Sequence, residues 1–191
     1  MEQIQPDFVT SAPEATLQQV AERMRERNIE VVIVNNGEEA RPAALERIPQ
    51  GAQVHSDKSK TLQEADIFDA IMDPKQYNAL RHQILKMDRK TQGQEIRKLM
   101  VAPDFMLGSV NAITEAGILV TVSATASQIG PYASTAGKLI LVVGSQKIVS
   151  DLETAFWRIR EHIQPWGRPR SAKLPIWAHL LVKCLSSSAS G

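Results

Sequence analysis

Apolar positions along the chain change period several times, and each change marks an element. Leu17, Val20, Ala21 and Met24 fall three and four apart on one helical face, and VVIV at 31–34 follows as a β-branched run suited to a strand buried on both faces. NNGEE then turns into a second helix ending near IPQG, and AQVH at 52–55 reads as the next strand. A helix over 62–72 and a long helical stretch over 75–102, broken near Gly93, come before three further strands, DFMLGSV, ILVTVSA and KLILVVG. SQIGPYASTA between the last two predicts a helical crossover, and Leu152, Ala155, Phe156, Ile159 and Ile163 predict a final helix buried along one stripe. Three capping boxes, Ser11 with Glu14, Thr61 with Glu64 and Ser150 with Glu153, place helix starts, because hydroxyl and carboxylate satisfy orphan backbone donors reciprocally.

Strands alternating with helices predict an α/β fold with a mainly parallel sheet. Only about seven residues join DFMLGSV to ILVTV, too few for a parallel crossover, so these strands are antiparallel or joined by a tight excursion and the sheet is mixed. The joining stretch, GSVNAITEAG, is polar between two apolar runs. Asn111, Thr114 and Glu115 there read in two ways: as a turn bonding its own backbone, or as the lining of a cleft at the strand ends.

With 191 residues, 43% of them hydrophobic, the chain closes one sizeable core and carries at most one appendage. A net charge of +1 excludes the basic balance of a nucleic-acid binder. MEQIQPDFVTSAPEAT has neither the basic start nor the apolar centre of a secretory signal, and the longest apolar runs are too short to cross a bilayer, so a soluble, cytoplasmic protein is expected. Cys184 is the single cysteine, which leaves no thiolate set for an iron–sulfur cluster, and His55, His82, His162 and His179 show no paired spacing. The sequence identifies no metal site and no cofactor.

The run GSVNAITEAGILVTVSATASQIGPYASTAGKLILVVGSQKIVSDLETAFWRI resembles the carboxy-terminal core of the lactate utilisation domain family, which has a similar N-A-I-T-E-x-G, S-Q, P-Y-A, V-V-G-x-Q-K-I-V and D-L-x-x-A series. IPQGAQVHSDKSKTLQEADI resembles that family's upstream I-P-x-G-x-x-V and S-x-T-L-x-E, and together the matches run over residues 14–165. The resemblance implies a Rossmann-like three-layer α/β domain related to sugar-phosphate isomerases and coenzyme A transferases. It places one such domain over 1–166 and leaves 167–191 as an atypical basic and amphipathic tail.

The layout is similar to ribose-5-phosphate isomerase, whose sugar-phosphate loops fall here at Ser59, Lys60 and Thr61, at Gly108, Ser109 and Asn111, around Ser123 and Thr125, and at Lys147. Thr114, Ser127 and Gln128 join them as ligand-binding candidates, with Lys60, Lys147 and a helix start at Thr61 favouring an anion. No Asp or Glu lies between Glu115 and Asp151, so the isomerase's acidic proton acceptor has no counterpart. TEAG resembles the coenzyme A transferase element that carries a nucleophilic glutamate, which makes Glu115 the catalytic candidate.

In lactate utilisation operons a protein of this type accompanies iron–sulfur subunits that oxidise lactate to pyruvate. The resemblance therefore implies an accessory, cluster-free partner of those subunits with an anion-binding cleft. The alternative is a stand-alone enzyme or sensor acting on a phosphorylated or coenzyme A-linked metabolite. Trp157 lies off the final helical stripe and reads as an interface marker or a lone exposed aromatic, and His55, at a strand end, reads as a satisfied polar residue at a sheet edge or as a group meeting the cleft. Trp177, Leu180, Leu181, Cys184 and Leu185 form a helical stripe in the tail, which packs on its own domain, joins two copies as a homo-oligomer, or is a loosely held end.

Overall fold

A computed structural model describes residues 7–57, 59–123, 126–163 and, as backbone, 179–183. The elements run α1 (Glu14–Arg25), α2 (Gly37–Leu45), β1 (Gln53–Ser56), α3 (Lys60–Glu64), α4 (Ile67–Ile71), β2 (Asn78–Ala79), α5 (Leu80–Leu85), α6 (Gly93–Val101) and β3 (Phe105–Gly108). They continue with β4 (Ala112–Thr114), β5 (Leu119–Ser123), β6 (Lys138–Leu141), β7 (Ile148–Val149), α7 (Leu152–Trp157) and β8 (His179–Lys183). A π-helical turn, Pro131–Thr135, precedes β6, and a second, Arg158–Ile163, continues α7.

The chain is α/β, as its hydrophobic pattern predicts, and it divides into two compact units. One unit holds, of the described residues, 34–57, 59–109 and 126–143. Its sheet, in the order β2-β1-β3-β6, is parallel throughout, with Val54 opposite Phe105 and Met106 opposite Leu139. Val54, Phe105 and Leu107 pack with Leu62, Ile67 and Ile71 into its main core, while Leu80, Ile84 and Ile96 form a smaller one from α5 and α6. The crossover before β6 is short and ends in the π turn, with β6 laid parallel beside β3.

The other unit takes, of the described residues, 7–33, 110–123, 144–163 and 179–183. Its sheet runs β7-β4-β5-β8 and is mixed: β4 pairs antiparallel with β5 and parallel with β7. Phe8, Ala112, Val120, Ala155 and Ile159 form the core there.

Several local expectations are corrected. VVIV is not a strand: Val32 is 50% exposed, and the Val31 carbonyl accepts from the Arg25 guanidinium at 2.9 Å instead of joining a ladder. A β-branched run makes a strand only where an edge is open to it. The three capping boxes do not form as read. Pro13 precedes α1 with no side-chain cap, Ser59 rather than Thr61 caps α3, and Asp151 rather than Ser150 caps α7, accepting from the Thr154 amide at 2.8 Å. The helix expected over 62–72 is split at Asp66, whose φ of 51° is left-handed, and the 75–102 stretch begins with the edge strand β2.

The polar stretch is itself structured. Residues Ala112–Thr114 are strand β4, fully buried, and β4 rather than DFMLGSV is the antiparallel partner of ILVTV. Phe156 is 39% exposed instead of buried, and Trp157 is half-buried against the Ala112 and Val120 core instead of lying free. In the tail, Leu180 and Leu181 belong to strand β8, paired antiparallel with β5, and not to a helix; Trp177, Cys184 and Leu185 lie outside the described residues.

Candidate functional site

Parallel strands all present their carboxyl ends on one side, where loops can gather polar groups without interrupting the core. In the unit built on the parallel sheet, β1 ends at Ser56 and is followed by Asp57, and β3 ends at Gly108 and is followed by Ser109. The Asp57 amide donates to the Leu107 carbonyl at 3.3 Å, which keeps the two strand ends abreast. Tyr132, from the π turn, reaches this edge. Its hydroxyl donates to Asp57 Oδ2 at 2.8 Å and accepts from the Ser109 amide at 3.0 Å, with the Ser109 carbonyl 3.1 Å away.

Tyr132 is 5% exposed and Ser109 8%, so these bonds are made in a largely dry setting. Burial, and then the Asp57 charge and hydrogen bond, push the Tyr132 phenol far above its ordinary value. The hydroxyl therefore stays protonated and acts as a donor, not as a phenolate base. Gly108 makes the arrangement possible: a Cβ there would lie 1.6 Å from the Tyr132 hydroxyl oxygen.

The sequence candidates fall into both units. Ser59, Lys60, Thr61, Gly108, Ser109, Ser127 and Gln128 belong to the same unit as Tyr132. Ser59 is buried and caps α3 by accepting from the Leu62 amide, and Thr61 is half-buried two residues on. Lys60 is solvent-facing and pairs with Glu64 at 3.2 Å. The Gln128 carbonyl accepts from the Tyr132 amide at 3.0 Å, starting the π turn, with Ser127 half-buried beside it. Thr125 lies outside the described residues.

Asn111, Thr114, Glu115, Ser123 and Lys147 belong to the other unit. Asn111 Oδ1 accepts from the Val122 amide at 2.8 Å and from the Thr121 hydroxyl at 3.4 Å. Thr114 is fully buried, and its hydroxyl accepts from the Ile118 amide at 3.1 Å. Both side chains thus brace their own hairpin, the first of the two readings of this stretch. Glu115 is exposed on the turn; its amide donates to the Val149 carbonyl at 2.8 Å and its carbonyl accepts from Arg23. Gly117, with φ of 76°, lets that turn close beneath α1, where a Cβ would approach Arg27 Nη1 to 2.8 Å. Ser123 is buried at the end of β5, and Lys147 is half-buried in a short 3₁₀ turn.

Asp57 and Tyr132 were not among the sequence candidates. Both lie inside the family-like motifs, Asp57 in SDKSKT directly after a strand and Tyr132 in P-Y-A, but 75 residues separate them and only the fold joins them.

His55 adds a titratable group beneath this edge. It sits on the interior strand β1 instead of at a sheet edge, and its Nδ1 is buried without a hydrogen-bond partner. Burial, helped by the Arg81 charge, holds its pKa below the ordinary histidine value. The folded state therefore resists a proton that the unfolded chain accepts. Stability from this group is complete above the unfolded value, about pH 6.5, and is lost as pH falls below it. His162 shifts in the same direction. We expect urea midpoints measured between about pH 8 and about pH 5 to fall less steeply for His55→Gln than for the wild type; equal slopes would refute the assignment.

Among the described residues no helix is long and apolar enough to cross a membrane, and no three His, Cys, Asp or Glu side chains cluster as a metal set. No curated protein matches the sequence. The family model described as the LUD domain matches residues 17–175, spanning segments of both units and reaching into the stretch read as a tail, and the chain belongs to the LUD domain family.

Proposed function

We propose that the chain is a cluster-free accessory protein of lactate utilisation, partnering iron–sulfur subunits that oxidise lactate to pyruvate, and that it binds a small oxygen-rich metabolite at the carboxyl edge of its parallel sheet. The observation that carries the site is the Tyr132 hydroxyl, buried and bonded to Asp57 and Ser109 where the strands end. Ligand binding exchanges these internal bonds: Asp57 turns to a hydroxyl donor on the ligand, and the Ser109 amide, released from the phenol oxygen, donates to a carboxylate or phosphate oxygen. A 2-hydroxy acid or its phosphorylated relative combines both kinds of group. Glu115 is exposed, without the water exclusion that an acyl-carboxylate intermediate needs, so non-covalent binding is the better-supported role. In this reading both units form one LUD domain, with the last residues as an appendage.

Thermal scans against lactate, pyruvate, sugar phosphates and coenzyme A esters test the site. A ligand at a hundred times its dissociation constant stabilises by about 2.7 kcal/mol. Asp57→Asn and Tyr132→Phe should reduce that shift. The absence of any shift across the panel at millimolar concentration would overturn the binding reading, and failure to co-purify with the iron–sulfur subunits would overturn the accessory role.

A further inference from the structure

The outer edge of the parallel sheet carries a groove that the proposed metabolite site does not use. Its volume is about 730 Å³, and its walls include Lys75, Lys86, His82 and the amides Gln50, Asn78 and Gln83. Two cations and no carboxylate line it, although the whole chain is nearly neutral, with 22 basic against 21 acidic residues. The charge excess is therefore local. The nearest acidic side chain in sequence, Asp73, already accepts from the Lys75 amide at 3.0 Å. His82 donates Nε2–H to the Met72 carbonyl at 2.8 Å.

The groove runs along β2, the end strand of its sheet and only two residues long. The Asn78 amide is turned inward to the Ala52 carbonyl, so by the alternation of a parallel ladder the backbone of Ala79 faces away from β1, while the Tyr77 amide is taken by the Asp73 carbonyl at 3.0 Å. An edge this short offers few ladder bonds, and side chains must supply most of the recognition. Lys75 and Lys86 are both exposed, and a single exposed ion pair is weak. A small anion touching one lysine would gain little. An extended segment with several carboxylates engages both lysines together while its peptide groups meet the amide walls.

We propose that this groove docks an extended acidic segment of a partner protein. The proposal is independent of the metabolite site. Fluorescence anisotropy with a labelled peptide of alternating glutamate and valine, and with its lysine counterpart, tests it on the full chain. Saturable binding of the acidic peptide alone is expected, weakening with added salt. The double substitution Lys75→Glu and Lys86→Glu should weaken it by about tenfold or more at an unchanged melting temperature, while Lys98→Glu, an exposed charge control on α6, stays within about twofold. Lys75→Gln with Lys86→Gln provides a milder pair should the reversed charges disturb folding. Equal binding of both peptides, wild-type affinity in either double variant, or displacement by citrate at matched carboxylate concentration would overturn the proposal.

Discussion

Gly108→Ala is expected to lower the melting temperature by roughly 5–15 °C, a loss of about 2–4 kcal/mol in a chain of this size. The new Cβ would lie 1.6 Å from the Tyr132 hydroxyl oxygen and 2.6 Å from Cζ, so the ring as well as the hydroxyl has to leave. Its departure strips the buried Ser109 amide of its acceptor and removes the partner of Asp57 Oδ2. Each buried polar group left unpaired costs about 1–3 kcal/mol. Tyr132→Phe does not relieve the clash, because Cζ remains. Tyr132→Ala does, and the double variant Gly108→Ala/Tyr132→Ala should be destabilised by clearly less than the sum of the two single changes. Additive losses, or a Gly108→Ala protein as stable as the wild type, would show that Tyr132 does not hold the strand ends as described.

Arg158→Ala should cost about 3–5 kcal/mol, measured as a shift in urea midpoint at constant slope. Arg158 is 2% exposed, and its Nε donates to the Asn111 carbonyl at 2.9 Å while Nη1 donates to the Phe8 carbonyl at 2.8 Å. The guanidinium also sits 5.3 Å from the centre of the Phe8 ring. One side chain thereby ties the amino-terminal segment to the start of β4. Burial lowers the Arg158 pKa, so part of the bonding free energy is offset by lost hydration. Arg158→Lys should recover less than half of the loss, because a single ammonium cannot span two carbonyls as a planar fork does. Arg158→Met separates packing from polar bonding. A methionine variant as stable as the wild type would mean that the bonds contribute nothing net, and the expected loss would have to be assigned to the cavity alone.

The α/β class, the family and most buried segments follow from the order of the amino acids. Those rest on local signals: β-branched and apolar runs at DFML, ILVTV and KLIL became β3, β5 and β6, and the Leu152, Ala155 and Ile159 stripe became α7 with its π continuation. The turn chemistry of NAITEAG was legible too, although which of its two readings applied was not. Asn111 and Thr114 could be assigned to their own hairpin only once β4 was seen paired with β5.

Other features depend on contacts between residues far apart in the chain. VVIV has the composition of a strand but no ladder to join, and capping shifted by one or two residues because neighbouring hydroxyls and carboxylates compete for the same few amides. The fold also decided that Tyr132, Asp57 and Ser109 meet. Their hydrogen bonds span 75 and 23 residues, so no periodicity or spacing encodes them. Local patterns record which face of an element must leave water, because burial is set residue by residue. Which polar group meets which is set by how parallel strands and their crossovers align in three dimensions, and that alignment exists only after the chain has folded.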